Sequence, residues 1–383
     1  MVISTPPMGW NSWNTFAAKI SDKLIRETAD LFDELGLAEA GYKYVVIDDC
    51  WSLHERDPKT NRIVADPEKF PEGMKALADY IHSKGLKFGM YSCAGVRTCG
   101  NYPGSFGHEY LDARTFAEFG VDYLKYDYCF RAIDNHAPLY YRRMGQALRT
   151  CGRDIVFSAC NWGTEDTWSW IRSSGAHLYR STGDIFDNFP SMRDIAVSQL
   201  PKLCYSAPNC FNDMDMLTVG MFGKGNVGNP NAQSVDEYRT QFALWCLMGS
   251  PLMLGCDLRT VRKGDEIHSL ITNKDLIAIN QDPAALQAFD VKYSWGNKDL
   301  RVIARLLDNG DTAIGFFNFD DKSPRSATVM LEDLGFPYES GMVLDLRDLF
   351  TGETFTSGRD EFVMRDVPSH GCRVFRATPR KVQ

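Results

Sequence analysis

With 383 residues, 44% hydrophobic and 12% aromatic, the chain can bury a large core and is longer than one ordinary domain. A net charge of -8 gives nucleic acid or an anionic membrane surface little to bind. Nowhere does an apolar run approach the ~20 residues that span a bilayer.

A first strand-like run at 8–13 is followed by others at 42–48, 86–91, 122–127, 154–159, 177–184, 210–217 and 251–257. Amphipathic stretches such as "PEGMKALADYIHSKG" and "DARTFAEFG" lie between them, with apolar residues at helical spacing and glycine near the end. Alternation of this kind predicts a parallel sheet. Eight strand–helix units fit a (β/α)8 barrel, which typically takes ~250 residues, and residues 1–288 are assigned to it. A doubly wound open sheet is the rival architecture. Further on, "LRVIARLLDNGDTAIGFFNFDD" places two short strands around Asp308-Asn309-Gly310-Asp311, a hairpin-turn signal. More short strands follow, which predicts an all-β antiparallel sandwich over 289–383, with no low-complexity linker before it.

One motif invites a nucleotide reading. Gly223-Lys-Gly225-Asn-Val-Gly228 matches G-x-G-x-x-G, but a dinucleotide site needs its last glycine to open a helix. Here Asn229-Pro230 follows at once, and Ser234 with Glu237 forms the better helix start, a capping box. The segment reads as a loop. Eleven cysteines without a C-x-x-C pair, no N-x-[ST] sequon and no signal peptide at the first residue lead to the expectation of a reducing, cytoplasmic location.

In a barrel, chemistry sits at the C-terminal ends of the strands. There the chain puts Asp48 and Asp49, Tyr91, Lys125 and Asp127, Arg180 and Asp184, and Asp215. A single strand-end aspartate usually begins a turn. Five on one rim, with a lysine and an arginine, converge on one mouth. Trp10, Trp13, Trp51 and Trp162 lie near these acids in sequence, and carboxylates with indoles suit a neutral polyhydroxylated ligand. Clustered acids also suit a metal. Yet no H-E-x-x-H occurs and none of the seven histidines ends a strand, so neither metal nor other cofactor is expected. Paired carboxylates serve glycoside hydrolysis, in which one attacks and the other shuttles a proton. The residues alone reach a sugar-active barrel, with a lectin lacking catalysis as the alternative class.

Five ordered blocks go further: "TPPMGWNSWNTF" (5–16), "VVIDDCW" (45–51), "TCGNYPGSFGHEYLDARTFAEFGVDYLKYDYC" (98–129), "RSTGDI" (180–185) and "DMLTVGMFG" (215–223). They resemble the α-galactosidases of glycoside hydrolase family 27. That resemblance implies a retaining hydrolase with Asp127 as nucleophile and Asp184 as acid/base, Asp127 being the more acidic and kept ionised by Lys125. It implies that Asp48, Asp49 and Lys125 bind sugar hydroxyls and that Arg180 approaches the C2 hydroxyl. Trp13 and Tyr91 would line the sugar, and Asp215 and Met216 the rim. The substrate implied is a galactosyl oligosaccharide or glycoconjugate, with homo-oligomerisation left open.

Two departures bear on specificity. The family's common C-E-W after the fifth strand is here Cys160-Asn161-Trp162, a segment the resemblance places at the sugar's C2 side. An α-N-acetylgalactosaminidase therefore stays as an alternative. A β-L-arabinopyranosidase is disfavoured by the intact Asp48-Asp49 pair. By the same resemblance Cys99 and Cys129 would form a disulfide beside the site, in tension with a reducing compartment.

Overall fold

The structure is a computed structural model and describes residues 3–132, 136–291 and 299–382. Eight strands run parallel: β1 (Met8–Asn11), β2 (Tyr44–Val46), β3 (Lys87–Cys93), β4 (Tyr123–Asp127), β5 (Val156–Cys160), β6 (Leu178–Arg180), β7 (Phe211–Asp213) and β8 (Leu252–Leu254). Sequential neighbours pair, and β8 returns to pair with β1. Just past β7, the Leu217 amide donates to Met253 (2.8 Å) and its carbonyl accepts from Gly255 (3.0 Å), which closes the ring. The open-sheet alternative is thereby set aside.

Alternation along each strand separates two environments. Outward residues such as Val45, Ile47, Phe88, Leu124, Tyr126 and Phe157 pack beneath the helices with Ile25, Phe32, Leu77, Ile81 and Phe116. Inward residues form layers. At the bottom Tyr44, Val46, Tyr123, Val156, Leu178, Phe211 and Met253 make an apolar plug. Gly89 pairs with Val46, and a Cβ there would lie 2.6 Å from the valine Cγ2, so the plug needs that glycine. Higher up, the inward positions turn polar: Asn11, Lys125, Ser158, Cys160, Arg180 and Asp213. The site sits above a buried, apolar floor.

The rest of the described chain is antiparallel. The strands β9 (Phe289–Asp290), β10 (Leu300–Leu306), β11 (Thr312–Asn318), β12 (Arg325–Met330), β13 (Met342–Asp348), β14 (Thr354–Thr356), β15 (Glu361–Val367) and β16 (Cys372–Lys381) form a six-stranded sheet, β14-β13-β16-β11-β10-β9, and a pair, β12-β15. The hairpin pairs Leu306 with Thr312 around Gly310, at φ +85°. One face of the larger sheet packs Val302, Ile314, Phe316 and Phe375 against Val329, Phe362 and Met364 of the small one. Its other face sends Ile303, Phe317 and Val374 into the core shared with the barrel and the helix Val235–Leu247. This explains why β11 is buried at every position instead of alternating. The larger sheet is thus covered on both faces, by the two-stranded sheet on one and by the barrel on the other.

Candidate active site

The C-terminal ends of the strands surround a cavity of about 310 Å³. Trp13, Asp48, Asp49, Tyr91, Lys125, Asp127, Trp162, Arg180, Asp184, Asp215 and Met216 all line it. Cys50, Trp162 and Asp215 have φ of 71°, 56° and 80°. Left-handed backbone in three non-glycine residues around one pocket is strain of the kind that gathers at functional sites.

Asp48 is fixed on several sides. Its carboxylate accepts from Asn11 Nδ2 (2.8 Å), Lys125 Nζ (2.8 Å) and the Asp49 amide (2.9 Å). Burial opposes the Lys125 ammonium, but the charges of Asp48 and Asp127 outweigh it and hold its pKa well above the ordinary value. Asp49 accepts from the Gly100 and Cys50 amides, both at 2.7 Å. Burial nevertheless raises its pKa.

Asp127 is 5% exposed. It accepts from the Tyr128 amide (3.0 Å) and the Tyr91 hydroxyl (3.2 Å). Burial pushes its carboxyl up to about 6, although Lys125 and the Tyr128 amide pull the other way. Lys125 thus favours the ionised carboxylate, as expected, but burial outweighs it. Lys125 shares its strand face but spends its direct contact on Asp48, so it acts on Asp127 only through space.

Across the pocket Arg180 bridges two acids, with Nη2 2.6 Å from Asp184 and 2.8 Å from Asp215. The Asp184 side chain is 64% exposed, so it stands in the open mouth. Asp215 is locked: it accepts from the Ile185 and Met216 amides (2.8 and 2.7 Å), and its own amide donates to Asp213 (2.9 Å). Burial, opposed by Arg180, pushes Asp215 up to about 6.

Several sequence expectations fall elsewhere. Cys160 lies below the pocket with Ser158 and Asp213, its sulfur 3.9 Å from Arg180 Nη1. Asn161 is fully buried and turned away. Its amide donates to the Thr164 carbonyl (2.9 Å), and it accepts from the Thr167 hydroxyl. Trp10 and Trp51 are core residues whose indoles donate to the Cys256 and Tyr91 carbonyls (2.7 and 2.9 Å). Conversely, Asn14, Phe186, Asn226 and Val227 line the pocket unannounced. Two of these come from the glycine loop 223–228. No helix opens there, and a Cβ on Gly225 would meet Thr15 Cα at 2.7 Å. The helix begins at Ser234 with the capping box.

Cys99 and Cys129 are joined in a disulfide with Cα atoms 5.2 Å apart. Among the described residues they form, with Asp127, a group whose donor atoms have the closeness a metal requires, but a disulfide offers no thiolate.

The family model described as "Alpha galactosidase A" matches residues 5–282, and "Alpha galactosidase C-terminal beta sandwich domain" matches 283–377. The α-galactosidase of Cyamopsis tetragonoloba is 43% identical over 377 residues, covering 98% of this chain and 87% of the relative. The crystal structure of α-galactosidase I from Mortierella vinacea superposes with a TM-score of 0.89 at 32% identity, over 98% of this chain and 97% of that one. The α-galactosidase from Saccharomyces cerevisiae, solved with raffinose, superposes with a TM-score of 0.85 at 30% identity, over 98% of both chains.

Proposed function

The chain belongs to glycoside hydrolase family 27, the α-galactosidases, and from that premise we propose that it releases terminal α-D-galactosyl groups by double displacement. In this reading Asp127 attacks the anomeric carbon to form a galactosyl ester, and Asp184 gives its proton to the departing oxygen. Water deprotonated by Asp184 then attacks the same carbon and frees Asp127. The observation that carries it is the contrast between the two carboxyls in one pocket. Asp127 is buried and held by Tyr91 and the Tyr128 amide, as a nucleophile needs. Asp184 is exposed at the mouth, where a leaving group exits and water enters.

The other groups support recognition of one galactose. Asp48, Asp49 and Lys125 offer fixed acceptors and a donor to adjacent hydroxyls, and Trp13 and Tyr91 offer apolar surface to the ring. Arg180 would exchange Asp184 for the sugar's C2 hydroxyl, freeing the acid/base to swing to the glycosidic oxygen. Because one relative was solved with raffinose, a galactosyl oligosaccharide of that type is the proposed substrate. With Asn161 turned away, the α-N-acetylgalactosaminide alternative loses the residue that motivated it. Hydrolysis of nitrophenyl α-galactoside, α-N-acetylgalactosaminide and β-L-arabinopyranoside side by side tests the assignment. Dominant turnover of the first supports it; dominance of either other glycoside rejects it.

A further inference from the structure

The disulfide beside Asp127 has more to it than a cross-link. The Cys99 and Cys129 sulfurs and an Asp127 carboxylate oxygen lie within 4.8 Å of one another. Cys99 is exposed and lines the pocket, so a reductant and an ion can both reach it. The Tyr91 hydroxyl sits at the join, 3.4 Å from the Cys99 sulfur and 3.2 Å from Asp127.

The two segments are held together independently of the sulfur–sulfur bond. The Ala94 amide donates to the Asp127 carbonyl (2.8 Å), the Val96 amide to Phe130 (3.0 Å) and the Cys93 thiol to the Cys129 carbonyl (3.3 Å). On the Cys99 side, the Thr98 amide donates to Tyr102 (2.8 Å) and the Gly100 amide to Asp49 (2.7 Å). Cutting the disulfide therefore leaves both cysteines facing each other above the carboxylate. Tetrahedral zinc with bonds of about 2.3 Å to sulfur spans two sulfurs about 3.8 Å apart, which asks for a side-chain adjustment and no rebuilding of the loops.

We propose that reduction of the Cys99–Cys129 disulfide creates a binding site for a thiophilic divalent cation such as Zn²⁺, held by the two thiolates and the Asp127 carboxylate. A dithiol supplies two electrons and two protons, closing to its own disulfide as Cys99 and Cys129 become thiols. The metal then displaces both thiol protons to solvent, and water fills the fourth position. With Asp127 ligated, its attack on a sugar is blocked; this consequence rests on the nucleophile reading above. Reduction and metal together would silence the enzyme, and a chelator would restore it.

The test compares oxidised protein with protein reduced by a phosphine and desalted without air, each titrated with Zn²⁺ and with Co²⁺. The expected result is one ion per reduced chain, with thiolate-to-cobalt charge-transfer absorption, and none per oxidised chain. Cys99→Ser should abolish that absorption, and Asp127→Asn should weaken binding at least about tenfold while keeping it. The oxidised and reduced wild type carry the comparison even if a variant folds poorly. Equal metal uptake by both redox forms, or by Cys99→Ser, would overturn the site; unchanged affinity in Asp127→Asn would overturn the third ligand. If Asp127→Asn weakens binding yet the loaded wild type hydrolyses galactoside at full rate, the metal site stands and the nucleophile assignment falls.

Discussion

Lys125 Nζ lies 2.8 Å from Asp48, two strands away, and not against Asp127 two residues along its own strand. Both partners are largely buried, with side-chain exposures of 14% and 2%. Removing one member of a buried pair strands the other charge, which costs about 3–5 kcal/mol. Lys125→Met should thus lower stability by that order as well as activity. Adding Asp48→Asn should recover much of the stability but none of the activity, and denaturant unfolding with a galactoside assay separates the two effects.

Asp127→Asn should abolish turnover, by more than about 10³-fold, and yet stabilise the fold at neutral pH. Burial raises the Asp127 pKa from 3.8 to about 6, so the fold prefers the neutral carboxyl. That preference is fully present below pH 4 and is lost as the pH rises through 6. At pH 7 the wild type carries an ionisation penalty on the order of 3 kcal/mol that asparagine escapes. Melting curves should show the variant more stable at pH 7 and matched to the wild type at pH 4.

Asp184→Ala should slow poor leaving groups by about 10²–10⁴-fold and good ones, such as nitrophenol, far less in the first step. Added azide should restore part of the rate by attacking the glycosyl-enzyme and yield a galactosyl azide. A uniform loss across leaving groups, untouched by azide, is the contrary result.

Asn161→Ala should act on stability and leave specificity alone. Its amide ties the Thr164 carbonyl and the Thr167 hydroxyl inside the loop, and a buried polar group left unpaired costs about 1–3 kcal/mol. The melting temperature should fall, while the ratio of kcat/KM for galactoside over N-acetylgalactosaminide stays put.

Much of this architecture is legible in the sequence because its signals are local. Strand-length apolar runs divided by amphipathic segments define the barrel, and strand-end charges mark its mouth. Inward-facing parity is legible too: with Ser158 and Cys160 pointing in, Asn161 points out and Trp162 in, which corrects the placing of Asn161 at the sugar. Depth is not legible from one strand. Cys160 and Trp162 share a face, yet one lies under the pocket and the other beside it. Asn226 and Val227 were hidden for another reason. Their loop reaches the pocket by packing Gly225 on Thr15, a contact between residues 210 positions apart that no local pattern announces.

If Asp127 takes the sugar covalently before water does, the first product released keeps the anomeric configuration of the substrate. Proton NMR of an aryl α-galactoside digest, followed from the first minute, distinguishes the anomers before mutarotation mixes them. Double displacement should release α-galactose first, with the β anomer appearing only later. β-Galactose as the first product would mean direct attack by water and would contradict the double displacement.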